Sequence, residues 1–140
     1  MNTTYEQRSV LVQLISLVLV LGGYLAMAGL MMTGEAPPPL IAYLPLFAGA
    51  VALLVIVLVA GHLAALFFGM PENHDERGRL INWRSNSNAS YVLAGGVLIG
   101  IAGMMFGVGD VWVAHFLLLS LLLQEILKAA MQLFYYARGV

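Results

Sequence analysis

The chain contains no cysteine. That excludes disulfides, thiol nucleophiles and thiolate metal sites. It is also poor in charge: Asp, Glu, Lys and Arg make up 9% of its 140 residues, against about 25% in an ordinary soluble domain. The formal net charge is −1, so no basic excess exists to hold nucleic acid directly. A phosphate-cradling glycine loop, a nucleophile elbow and an HExxH zinc motif are all missing from the sequence. With no nucleophile–base constellation, the chain does not read as an enzyme. No internal repeat is visible, so an inverted-repeat transporter has no support either.

What is present is apolar. Hydrophobic residues make up 61% of the chain and the mean hydropathy is +0.92. Such a chain cannot cover itself in water, so it reads as an all-α integral membrane protein with a single transmembrane domain and the lipid bilayer as its surroundings. Four spans can be placed, at about 10–32, 46–69, 89–107 and 111–137, with a polar segment at 71–88. Short connectors imply an up-down-up-down four-helix bundle. The first span could imitate a signal peptide, because Arg8 precedes it and Ala26-Met27-Ala28 resembles a cleavage site. Its apolar run of about 24 residues is too long for that, and it reads as a retained helix.

The connectors carry the orientation. Thr33–Leu40 contains Pro37-Pro38-Pro39, which cannot be helix interior. Tyr43 and Pro45 suit the membrane interface and a first helical turn. All six basic residues (Arg8, Arg77, Arg79, Arg84, Lys128 and Arg138) fall on or near one side of the four-span arrangement. The positive-inside rule therefore places both termini and the 71–88 segment in the cytoplasm. Within that segment, Asp75 and Glu76 stand against Arg77, Arg79 and Arg84, while Leu80, Ile81 and Trp83 suggest a short interfacial helix. Ser87 or Asn88 could cap the third span. The mixed charges suit the docking of a cytoplasmic regulator better than a lipid-headgroup or nucleic-acid patch.

The last span carries the most unusual pattern. Gln124, Glu125, Lys128 and Gln132 fall within an arc of about 100° on an otherwise lipid-like helix. Counted by helical rise, Glu125, Lys128 and His62 share the cytoplasmic third of the membrane, and Gln13 enters that layer from the first span. One reading is a buried polar site: a proton relay, ion site or ligand pocket, with Glu125 as carboxylate and His62 as titratable partner. The plainer reading is that Lys128 snorkels and pairs with Glu125 at i, i+3, while the glutamines join helices by hydrogen bonds.

Other features are weighed the same way. Gly96, Gly100, Gly103 and Gly107 form a stripe within about 60°. It allows close approach of a helix of the same chain, with the small face of Gly22, Ala26 and Gly29 as natural partner, or else a homodimer seam; another membrane subunit is a further candidate partner of the protein as a whole. A lone His115 near the outer end of the last span reads as a hydrogen-bonded or interfacial residue rather than a ligand. His74-Asp75-Glu76 lacks ligand spacing, so no metal or cofactor is expected. The sequons at Asn2 and Asn88 lie on the cytoplasmic side and are discounted.

Asp75-Glu76-Arg77 with Leu80-Ile81, Ser90-Tyr91-Val92-Leu93, Glu125-Ile126-Leu127-Lys128 and the ending Tyr136-Ala137-Arg138-Gly139-Val140 together carry a resemblance. Over roughly residues 74–140 the chain resembles a group of uncharacterised four-span proteins of the bacterial inner membrane, a domain of unknown function encoded near helix-turn-helix regulators. The resemblance implies a regulatory or sensory association and brings no catalytic residues. Two functions are therefore carried forward. One is a non-enzymatic membrane subunit acting through residues 71–88. The other is a small homo-oligomeric, proton-coupled transporter using Glu125 and His62. Small multidrug exporters keep their membrane carboxylate in the first span, where this chain has none, and that departure weakens the transporter reading.

Overall fold

A computed structural model describes residues 5–34, 36, 38–68 and 76–138, with side chains for all of these except 5–9, 58, 61–62, 64–68 and 77. Apolar runs in a hydrocarbon slab must bond their own backbone groups, so they become helices. Four long ones form: α1 (Tyr5–Met32), α2 (Leu44–Phe68), α3 (Glu76–Met105) and α4 (Asp110–Arg138), with a 3-10 turn at Leu40–Tyr43 before α2. Each contains a stretch long and apolar enough to cross a membrane. The architecture is an all-α four-helix bundle, that of a multi-pass membrane protein.

Packing is uneven. Among the described residues the close pairings are α3 with α4, α1 with α2, and α1 with α4. Helix α4 is thus the shared wall. Its contacts run antiparallel to both partners: His115 meets Tyr24 near one end, and Gln132 meets Asn82 near the other. The starts of α1 and α3 and the end of α4 consequently lie at the same end of the bundle. The core gathers Leu21, Tyr24, Ala28 and Met32 of α1 around Tyr43, Val111 and Leu122.

The α3–α4 seam follows from small side chains. Gly78, Ile81, Ser85, Ala89, Gly96 and Gly100 are buried along one face at steps of three, four or seven. A Cβ at Gly96 would fall on the Ser120 side chain, and one at Gly100 would lie 3.0 Å from Leu117. The glycine stripe therefore seats α4, not the small face of α1. Around Gly22, Gly23 and Gly29 a Cβ would meet nothing within 4 Å. Gly107 leaves the stripe altogether. It takes φ +80° in the turn after α3, where its N–H donates to the Met104 carbonyl and Val108 N–H donates to Gly103. That is a glycine-centred helix stop, and its left-handed conformation is why glycine stands there.

The polar loop segment at 71–88, in which a short interfacial helix was expected around Leu80–Trp83, is helical over all its described residues. From Glu76 onward it is continuous with the third span, so Ser87 and Asn88 are helix interior rather than caps. The Ser90 hydroxyl donates back to the Ser87 carbonyl at 2.7 Å. Local polarity misled here: the face carrying Gly78, Ile81, Ser85 and Ala89 is seated against the bundle, and tertiary burial outweighs weak helix propensity. Helix α3 has 30 residues, about 45 Å by helical rise, against a hydrocarbon core of about 30 Å. Trp83 is 70% exposed about 33 Å from the Met105 end, and Trp112 is 53% exposed about 3 Å from Asp110. Their separation matches the two aromatic belts of a bilayer. Below Trp83, inside that interval, Ser87, Asn88 and Ser90 are exposed.

Candidate functional site

Two polar centres sit at opposite ends of α4. The first is the one anticipated around Glu125. At 1.5 Å per residue, Glu125 lies about 22 Å and Lys128 about 27 Å from Asp110, near the far edge of the hydrocarbon. The Lys128 ammonium donates to Glu125 Oε2 at 3.5 Å, and the Gln124 amide donates to Glu125 Oε1 at 3.4 Å. Side chains of the ion pair are 21% and 24% exposed, so the pair is partly sheltered. Gln132 is buried and donates to Asn82 of α3 at 2.9 Å. Gln124 is also buried, and its carbonyl oxygen has no partner among the described residues.

Helix α1 closes the other side. A cleft between α1 and α4 is lined by Val10, Gln13, Leu14 and Leu17 from α1 and by Glu125, Lys128, Ala129 and Gln132 from α4. Gln13 thus lines the same cleft as the ion pair, from the opposite helix. It is not buried, however: its side chain is exposed at the rim. The anticipated layer is therefore a graded one, with Gln124 and Gln132 inside, Glu125 and Lys128 part-way, and Gln13 outside. His62 sits on the backbone of α2, but its side chain lies outside the described residues, as does Asp75 entirely. Glu76, Arg79 and Arg84 are exposed on α3; the Arg77 side chain is outside the described set. Among the described residues no group of three or more His, Asp or Glu side chains is placed to hold a metal.

The second centre has His115 hydrogen-bonded, one of the two readings given to it, but the rings gathered around it were not anticipated. His115 is buried, and its Nδ1 lies 2.7 Å from the Val111 carbonyl one turn earlier. A carbonyl only accepts, so in the neutral ring Nδ1 carries the proton and Nε2 must accept. Tyr24 of α1 supplies the donor, its hydroxyl 3.0 Å from Nε2. The two rings are nearly parallel, with centroids 5.7 Å apart. Tyr43 meets the imidazole edge-on at 4.8 Å, and Phe47 meets Tyr24 edge-on at 5.8 Å. Tyr43, read as an interface residue, packs inward against the bundle. It is 2% exposed, and its hydroxyl has no hydrogen-bond partner among the described residues. The available signal was depth: Tyr24 lies about 12 Å from the end of α1 and His115 about 7 Å from the start of α4, levels that adjacent antiparallel helices bring together.

This second centre ties α1, the 3-10 turn and α4 together through a hydrogen-bonded imidazole. It supplies no nucleophile and no exposed charge. The first centre, by contrast, presents both charges and an amide beside an apolar wall. Compared with protein-family models, with curated proteins and with solved structures, the chain matches none.

Proposed function

We propose that this is a non-enzymatic accessory subunit of the bacterial inner membrane, regulatory or sensory, with both termini in the cytoplasm. It acts through the start of α3, within the 71–88 segment. The observation that carries the reading is the unbroken helix from Glu76. The span needs about 20 residues, and α3 has 30. The excess stands out as a charged rod with Glu76, Arg79 and Arg84 exposed and Trp83 at its foot. A helical rod buried on one side by α4 presents its other faces in fixed register, which lowers the ordering cost of docking. Positive-inside orientation puts that rod where a cytoplasmic regulator would meet it.

Photo-crosslinkers placed at the exposed positions 80 and 83 in cells should trap a discrete cytoplasmic partner. Combined reversal of Arg77, Arg79 and Arg84 to Glu should remove that adduct, because complementary rim charges set association. An adduct that survives the triple reversal removes the rod as the docking surface.

The transporter reading is favoured by one feature, the shared cleft of Gln13, Glu125, Lys128 and Gln132. Against it, Glu125 already has Lys128 as its counter-charge, whereas a proton-carrying carboxylate works by gaining and losing charge within the membrane. Proton flux in liposomes should be indistinguishable between the native protein and Glu125→Gln. A flux that disappears with the substitution would restore the carboxylate to a transport role.

A further inference from the structure

The cleft between α1 and α4 combines three properties. By helical rise its polar end, at Lys128 and Gln132, lies about 27–33 Å from Asp110, beside the edge of a hydrocarbon core of about 30 Å. One wall is apolar, through Leu14 and Leu17. Beside that wall stands an ion pair that is only loosely closed: its N–O distance of 3.5 Å exceeds the about 2.7–2.9 Å of a well-made charge-assisted bond. An ammonium has three donors and a carboxylate about four acceptor positions, so Lys128 and Glu125 retain unused hydrogen-bonding capacity. Gln13 adds an exposed amide at the rim that is bonded to no described residue. Gln132, tied back to Asn82, fixes the inner end.

We infer that this cleft binds one phospholipid bearing a primary-ammonium headgroup, of the phosphatidylethanolamine class. Its phosphate faces Lys128 and Gln13, its ammonium faces Glu125, and an acyl chain lies along Leu14 and Leu17. The charges decide the class. A headgroup of net negative charge meets Lys128 but is repelled by Glu125. A trimethylammonium headgroup carries the right charges but has no N–H to give the carboxylate. Only a zwitterion with N–H donors answers both members of the pair without adding net charge to a partly sheltered site. The inference is independent of what the α3 rod binds.

Native mass spectrometry of the intact protein released from nanodiscs tests this. The discs contain phosphatidylethanolamine with phosphatidylcholine in one arm and phosphatidylglycerol with phosphatidylcholine in another. The ethanolamine lipid should be retained about tenfold over choline, the factor expected for one hydrogen bond to a charged group of about 1.5 kcal/mol. Glycerol lipid should show no such excess. Glu125→Gln should bring ethanolamine and choline lipids to parity, while Lys128→Gln should lower retention of both. Equal retention of ethanolamine and choline lipids by the native protein overturns the assignment without reliance on any variant folding. So does a glycerol-lipid preference, or an ethanolamine preference that persists in Glu125→Gln.

Discussion

Gly96→Leu should destabilise the bundle by about 3 kcal/mol, at the upper end of the cost of overpacking a tight contact. The position allows no side chain, because the first atom added would coincide with Ser120 of α4. Ser120 cannot rotate away to make room: its Cβ is fixed to the helix, and its hydroxyl is bonded to the Phe116 carbonyl at 2.9 Å. The seam would have to part, and between membrane helices close packing is the main source of attraction. Thermal unfolding in one detergent or bicelle, followed by fluorescence-detected gel filtration, measures the loss. Gly22→Leu is the internal control, since a Cβ there meets open space; its effect should stay within about 0.5 kcal/mol. Ser120→Gly should recover part of the loss in a Gly96→Ala background, giving a positive coupling in a double-mutant cycle. Equal effects at Gly96 and Gly22 would show that α4 is not seated on this stripe.

The second large effect concerns the buried imidazole. His115→Ala should cost about 3 kcal/mol or more, from a cavity at the junction of α1, the 3-10 turn and α4 and from the Tyr24 hydroxyl left without its acceptor. Tyr24 is 4% exposed, so water does not easily take the acceptor's place. Tyr43→Phe, on a ring that touches the same imidazole, should be neutral or slightly stabilising. The hydroxyl it removes is buried and has no partner among the described residues, and deleting an unmet polar group relieves a desolvation cost. Two substitutions on adjacent rings thus have different expected outcomes. Thermal unfolding of both variants under one condition checks the contrast; a Tyr43→Phe loss as large as that of His115→Ala would mean its hydroxyl has a partner.

The sequence made some of this legible. Long apolar runs can satisfy their backbones only as helices, so four spans could be placed to within a few residues at most boundaries. The i, i+3 pairing of Glu125 with Lys128 needed no tertiary knowledge, and the structure has it. The helix suggested by Leu80, Ile81 and Trp83 was read as short and separate from the third span because Asn, Ser and Arg between 79 and 90 favour a break by local preference; what keeps α3 continuous is the face it turns to the bundle. The glycine stripe was visible, but which helix occupies it depends on whether α1 or α4 lies alongside. The Tyr24–His115–Tyr43 contact joins residues from three elements, none unusual alone. For Gln13 the layer was right but the burial was not, because helical rise gives depth and says nothing of facing.

The bare hydroxyls and amide of Ser87, Asn88 and Ser90, set inward from Trp83, have an effect beyond the protein. Alongside α2 the sequence is apolar for about 26 Å, from Leu44 to Gly61, before His62 interrupts it; alongside α3 it is apolar only from Tyr91 to Met105, about 22 Å. Against a hydrocarbon core of about 30 Å the shortfall is larger along α3, so the surrounding leaflet must pinch or admit solvent chiefly on that flank. The molecule would then sit in its membrane as a wedge, bending the sheet around it toward the side where α3 emerges.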